Sequence, residues 1–197
     1  MAQQPLAATT RSVSRGASVA ASAGLGVLAA AIGYLVTYVL IVDEVGEAVG
    51  ENVAEWMGVA WYYYNAHLVN IETSGEFGGI SGADTVNFIA ESGSTSSTLL
   101  YVVPPVVLAV IGAVLAYQLD ARDIGEGVLV GAPVAIGYAV VMGLGAVVAE
   151  SSTEASFFGI EATGSTAPLL VPAIVLGGLL YPLVFATAGA ILTAVLR

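Results

Sequence analysis

SVAASAGLGVLAAAIGYLVTYVLIV, residues 18–42, contains no Asp, Glu, Lys, Arg or His, and its length decides how the rest of the chain is read. At 1.5 Å per residue, a helix of this size exceeds the ~30 Å hydrocarbon core of a bilayer. Three later segments have the same two properties: Leu99–Leu119, Gly127–Ala149 and Leu169–Leu196. The charges between them are sorted by sign. Arg11 and Arg15 precede the first segment, Arg122 lies between the second and third, Arg197 ends the chain, and there are no other Lys or Arg residues. Of the 15 carboxylates, all but Asp120, Asp123 and Glu126 fall in the two remaining connections. Cationic loops stay on the cytoplasmic side of a membrane. The pattern therefore predicts four membrane spans with both termini cytoplasmic.

Composition agrees with this reading. Hydrophobic residues make up 57% and charged residues 10%, against about a quarter charged in soluble domains. The expected fold class is all-α: one four-helix transmembrane domain over residues 18–197, preceded by a cytoplasmic tail at 1–17. An acidic outer cap of helix and loops is expected from residues 43–98 and 150–167. The apolar run of 18–42 is too long for a secretory signal and has no small-residue cleavage site, so it reads as an uncleaved anchor in the plasma membrane. Without cysteine, disulfides and thiolate metal centres are excluded. The net charge of -11 is reached without a single lysine, a balance that repels nucleic acid. It suits a protein of a halophilic archaeon, because molar salt screens charges over roughly 3 Å.

Small residues mark the faces where helices meet closely: Gly24, Gly26 and Gly33 in the first span, Ala135, Ala139 and Gly143 in the third, Ala186, Ala190 and Ala194 in the fourth. Pro104, Pro105, Pro172 and Pro182 predict kinks, with a further bend at Pro133. Asp123 and Glu126 have the spacing of a capping box that starts the third helix. Beyond Asp43, valines at 45, 49 and 53 with Met57 and Trp61 oppose glutamates at 44, 47, 51 and 55, which predicts one amphipathic helix over 44–64 on the outer interface. Trp56, Trp61 and Tyr62 to Tyr64 close it as an interfacial aromatic belt. Residues 73–98 read as a Gly/Ser/Thr loop with one short ordered piece near Val86, Phe88 and Ile89. A faint repeat links Gly93-Ser94-Thr95 to Gly164-Ser165-Thr166, each after an outer loop with a Phe-Gly step, at Phe77-Gly78 and Phe158-Gly159. It predicts two hairpins related about the membrane normal.

Chemistry finds little support. His67 is the only histidine, and its nearest acid, Glu72, is five residues on, outside helical reach. It reads as a hydrogen-bonding residue of the fold, so no catalytic residue, metal ligand or cofactor is expected. Coupled transport needs ionisable groups inside the membrane, and the four spans have none. The string Trp61-Tyr62-Tyr63-Tyr64-Asn65-Ala66-His67-Leu68-Val69-Asn70 resembles a family of uncharacterised small integral membrane proteins of haloarchaea. The resemblance covers roughly the first half of the chain and brings no activity. It implies that Asn65 and His67 are signature positions of an outer-face element with Trp56, Trp61 and Tyr64. The functional expectation is a structural or accessory membrane protein that packs in the lipid bilayer with itself or with another membrane protein. The competing reading is a small channel or transporter for a neutral solute.

Overall fold

The computed structural model describes residues 15–50, 53–157 and 160–197. Residues 1–14 of the expected tail, Glu51 of the glutamate series and Phe158-Gly159 of the repeat lie outside the described residues. Helix α1, Arg15–Val49, has 35 residues and is a rod of about 52 Å. It runs through Asp43 and Glu44 without a break. Gly50, at φ +83°, ends it in a left-handed conformation open to a residue without Cβ. Helix α2, Glu55–Ala66, then turns back along α1, with Gly58 against Val45 and Val49 and Gly33 against Tyr63. The single interfacial helix expected over 44–64 is thus two helices in contact, and the second is buried from Gly58 to Ala66. Val45 and Ile41 meet Val59, Tyr62 and Ala66 in one apolar cluster. Tyr34 Oη donates to the Trp56 carbonyl at 3.0 Å, and Tyr38 Oη to the Glu55 carboxylate.

Strands β1 (Ile71–Phe77) and β2 (Ile80–Val86) form a hairpin closed by Gly78-Gly79 at φ 58° and 84°, the positive values that a two-residue turn requires. Helix α3, Phe88–Ser92, follows, with the Asn87 side chain accepting from Ala90 N at 3.1 Å. Helix α4, Thr95–Leu99, tightens into a 3₁₀ turn at Leu100–Val102 and continues as α5, Val103–Gln118. Pro104 and Pro105 occupy the first turn of α5, where a missing N–H breaks no helical bond. Helices α6 (Ile124–Gly131) and α7 (Val134–Val148) are separated at Ala132-Pro133. Asp123 caps α6 by accepting from Glu126 N at 2.9 Å, while the Glu126 carboxylate accepts from Arg122 N at 2.7 Å. After β3 (Ser151–Phe157) and β4 (Ile160–Pro168), the short α8 (Leu170–Pro172) leads into a π-helical stretch, Ala173–Leu180, and then α9, Tyr181–Leu196. Pro172 and Pro182 flank that π stretch.

Four helical stretches, Gly16–Gly46, Thr95–Gln118, Ile124–Val148 and Leu170–Leu196, are long and apolar enough to cross a membrane. The fold is nevertheless not all-α. The two hairpins join into one antiparallel sheet of order β2-β1-β4-β3, where loops were expected. The strands carry no apolar alternation because the sheet has little to bury: in β1 only Ile71 is buried, and β2 is exposed up to Val86. Gly93-Ser94-Thr95 lies between α3 and α4, whereas Gly164-Ser165-Thr166 lies inside β4. In the sheet the two hairpins nonetheless follow one another in the same sense, β2-β1 and then β4-β3, as a rotation about an axis along the strands would place them.

Two helix seams are close enough that only glycine fits. A Cβ on Gly112 would overlap the Ala186 backbone, and one on Gly189 the Ala109 backbone, which locks α5 to α9. Gly26 and Gly137 meet the carbonyls of Val134 and Ala23 in the same way between α1 and α7. Ala186, Ala190 and Ala135 are buried, Ala139 lies against Gly178, and Gly143 against Ile174. Gly24 faces open space; the close contact of α1 is made on its opposite side, by Gly26. At the opposite end from the sheet, Asp120 pairs with Arg122 at 2.7 Å and with Arg197 at 3.3 Å, exposed pairs each worth at most about 1 kcal/mol.

Gly112→Ala should therefore lower stability by about 1–3 kcal/mol through overpacking. Gly24→Ala should raise it by about 0.5–1 kcal/mol, since an exposed helical glycine gains from a methyl group. Denaturant unfolding in detergent measures both, and equal effects at the two sites would contradict the seam.

Candidate functional site

The distinctive locus is the C-terminal end of α2, pushed among apolar helices. A helix end leaves four carbonyls without intrahelical partners, and here each finds one. Tyr64 O accepts from His67 N at 2.9 Å and Val69 N at 3.1 Å, and Asn65 O from Leu68 N at 2.9 Å. Ala66 O accepts from Tyr181 Oη of α9 at 3.3 Å. Tyr63 O takes the remaining bond, from His67 Nδ1 at 2.7 Å. The backbone pattern is a Schellman ending, with Leu68 at φ +60° in the position normally held by glycine.

His67 is fully buried. Because Nδ1 faces a carbonyl it must carry the proton, so in the neutral ring Nε2 is an acceptor. Tyr138 Oη, 2.7 Å away, donates to it. Tyr63 Oη lies 2.6 Å from Tyr138 Oη and 3.2 Å from the Ala30 carbonyl of α1. The hydroxyls therefore run Tyr63 to Tyr138 to His67, and the imidazole returns the chain to the backbone of Tyr63. This ring of hydrogen bonds connects α2 to α7, with Ala30 of α1 at its margin. Burial holds the imidazole neutral, its pKa pushed down to about 4, with the Tyr63 carbonyl acting in the opposite sense. Burial likewise pushes the Tyr63 phenol well up, assisted by Tyr138.

The neighbours extend the same logic. Tyr64 Oη donates to Met142 O at 2.6 Å, and Trp61 Nε1 to Ala149 O at 2.8 Å, fixing α2 to two further levels of α7. Trp61 stacks on Phe88 at 5.8 Å between ring centres. Asn65 donates through Nδ2 to Val69 O at 2.8 Å and accepts from Phe88 N at 2.9 Å, holding α3 against α2. The π-helical stretch makes room on the fourth side: a Cβ on Gly177 would lie 2.6 Å from Met142 Cε and 3.5 Å from His67 Cβ.

Of the five residues expected on an outer face, Trp61, Tyr64, Asn65 and His67 are buried, and only Trp56 is exposed. The aromatic string is a plug within the bundle and not an interfacial belt. Sequence reasoning missed Tyr138 and Tyr181. Their signal was present, as phenols set within otherwise apolar segments. Both nitrogens of His67 are engaged, so the ring offers no free lone pair to a metal or substrate. Among the described residues no group of three His, Asp or Glu side chains is placed to hold a metal ion.

The fold and site define a four-helix apolar bundle locked by a buried tyrosine–histidine ring beneath a polar four-stranded sheet. The chain belongs to a family of unknown function, DUF7978, which matches residues 1–197. No curated protein and no solved structure matches it.

Two tests follow from the lock. The depressed imidazole pKa means that the unfolded chain binds the proton more tightly, so His67's contribution is complete above about pH 6.5 and is lost as pH falls toward 4. The stability difference between the native protein and His67→Gln, followed by denaturant unfolding in detergent, should shrink over that window by roughly 3 kcal/mol. A constant difference would show that the ring is not buried neutral. Leu68→Gly should stabilise the protein by about 0.5–1 kcal/mol, because it relieves a left-handed leucine; a loss of stability would contradict the Schellman assignment.

Proposed function

We propose that the protein is an integral component of the cell membrane of a halophilic archaeon, structural or accessory in role, with the sheet outside and both termini cytoplasmic. Four apolar helices, arginines 122 and 197 at one end and carboxylates at the sheet end support the orientation. The haloarchaeal assignment rests on the lysine-free acidic composition and on the resemblance at Trp61 to Asn70.

One observation carries the scaffold reading over the channel: α2 fills the sheet-side half of the bundle with Trp61, Tyr62, Tyr63 and Tyr64, all at most 4% exposed. A path for a neutral solute would have to displace that plug and break the ring behind it. The sheet, in contrast, presents polar backbone and an apolar tip, with Phe77 and Ile80 54% and 79% exposed. Such a surface suits a protein partner.

Purified protein in liposomes should pass glycerol and urea no faster than empty vesicles, while extraction from native membranes under mild conditions should retain a second membrane protein or further copies of the chain. Faster solute flux, abolished by a substitution in the plug, would establish the channel instead. In intact cells an impermeant thiol reagent should label Ser81→Cys and spare Arg122→Cys; the reverse result would invert the topology.

A further inference from the structure

We propose that the outer sheets of neighbouring copies join edge to edge, β2 of one protomer beside β3 of the next, to form a head-to-tail ring. The proposal rests on the membrane reading above, since it needs all copies upright in one plane.

Strands β2 and β3 are the two edges of the sheet, seven residues each. Among the described residues no further strand pairs with either. Exposed edges invite pairing, and proteins that avoid it place charge, lysine above all, or proline there; Ile80–Val86 and Ser151–Phe157 contain no lysine or proline and a single carboxylate each, Asp84 and Glu154.

Polarity then selects the partner. β2 runs from the hairpin tip toward the bundle and β3 from the bundle toward the tip. Copies standing upright side by side would pair β2 with β2, or β3 with β3, only in parallel. The β2–β3 combination alone continues the antiparallel pattern of the sheet. Register agrees across the protomer: Ile80 is level with Phe77, Ala162 and Ala155, and Asp84 is level with Thr73, Thr166 and Ser151.

Charge points the same way. At matched height, head-to-tail pairing sets Asp84 opposite Ser151 and Glu154 opposite Ser81, whereas pairing of like strands would set Asp84 or Glu154 opposite itself, which is unfavourable. The seam residues Gly82, Ala83, Ser152 and Thr153 are small. Width is also compatible. Four strands at about 4.8 Å occupy about 19 Å, close to the two-helix breadth of a bundle packed at 8–10 Å, so joined sheets leave room for the helices of each copy. Because this seam joins two different edges, it closes into a ring when the rotation per protomer divides a full turn.

The native chain has no cysteine, which makes the test direct. Ala83→Cys and Ser152→Cys lie on opposite edges, about 14 Å apart across three strand spacings, beyond the ~7 Å reach of a disulfide. In the double variant, oxidised in liposomes, any disulfide must join two chains. A ladder of cross-linked species that stops at one size is expected, with both single variants remaining monomeric. Absence of a ladder, or dimers from either single variant, would overturn the proposal. In parallel, Ser81→Lys with Ala83→Lys should reduce the mass measured by light scattering in mild detergent to that of a monomer; an unchanged mass would also overturn it. If the ladder fails while Ser81→Cys is still labelled from outside and a different membrane protein co-purifies, only self-assembly falls. If Ser81→Cys cannot be labelled from outside, the membrane reading itself falls.

Discussion

A helix can end inside an apolar bundle only if its last carbonyls find donors there, and the structure depends on how α2 meets that condition. Leaving one such group unpaired costs on the order of 1–3 kcal/mol, and α2 presents four. Two are satisfied by the chain's own turn, one by Tyr181 and one by His67, which then needs a donor for its second nitrogen. Tyr138 supplies it, and Tyr63 supplies Tyr138. The sequence of demands explains why a histidine and several phenols occur within a bundle whose helices are otherwise mostly apolar. The polar ring follows from burying a helix end.

Burial of α2 has further effects. Ile41 and Val45 of α1 reach Leu100 through the cluster that α2 completes, and the glycine seams bring α5 to α9 and α1 to α7 elsewhere in the bundle. The buried helix also fixes where the chain emerges. Asn70 O accepts from Leu169 N at 3.1 Å, and Ile71, fully buried, starts the first strand. The sheet is therefore rooted in the plug through β1 and next to the fourth apolar helix through β4.

The four long helices were legible because an unbroken apolar run of more than twenty residues has few other meanings. The Asp123–Glu126 cap was legible because its pattern is local. The end of α1 was not: valines and glutamates keep helical spacing from Asp43 to Trp61, and only Gly50 marks the break. The end of α2 was hidden too, because Leu68 occupies the left-handed position where glycine would have signalled it. The strands lacked alternation because neither face of the sheet is covered, leaving the Gly78-Gly79 turn as the sole local sign of a hairpin. His67 reads correctly as a hydrogen-bonding residue, yet its partner Tyr138 is 71 residues away, a pairing that exists only through the fold.

The π-helical stretch between Pro172 and Pro182 adds a constraint on how this chain can vary in length. Each i→i+5 bond encloses one residue more than its α-helical equivalent. Deleting a single residue from Ala173–Leu180 would let the stretch relax toward an α-helix with its flanks kept near their present phase, whereas a deletion in the regular turns of α9 would rotate the remainder of that helix by about 100°. In the second case Gly189 would swing away from α5. The fourth helix therefore tolerates a change of length in the π stretch more readily than in α9: it is phased at both ends, by the sheet root above and by the α5 seam below.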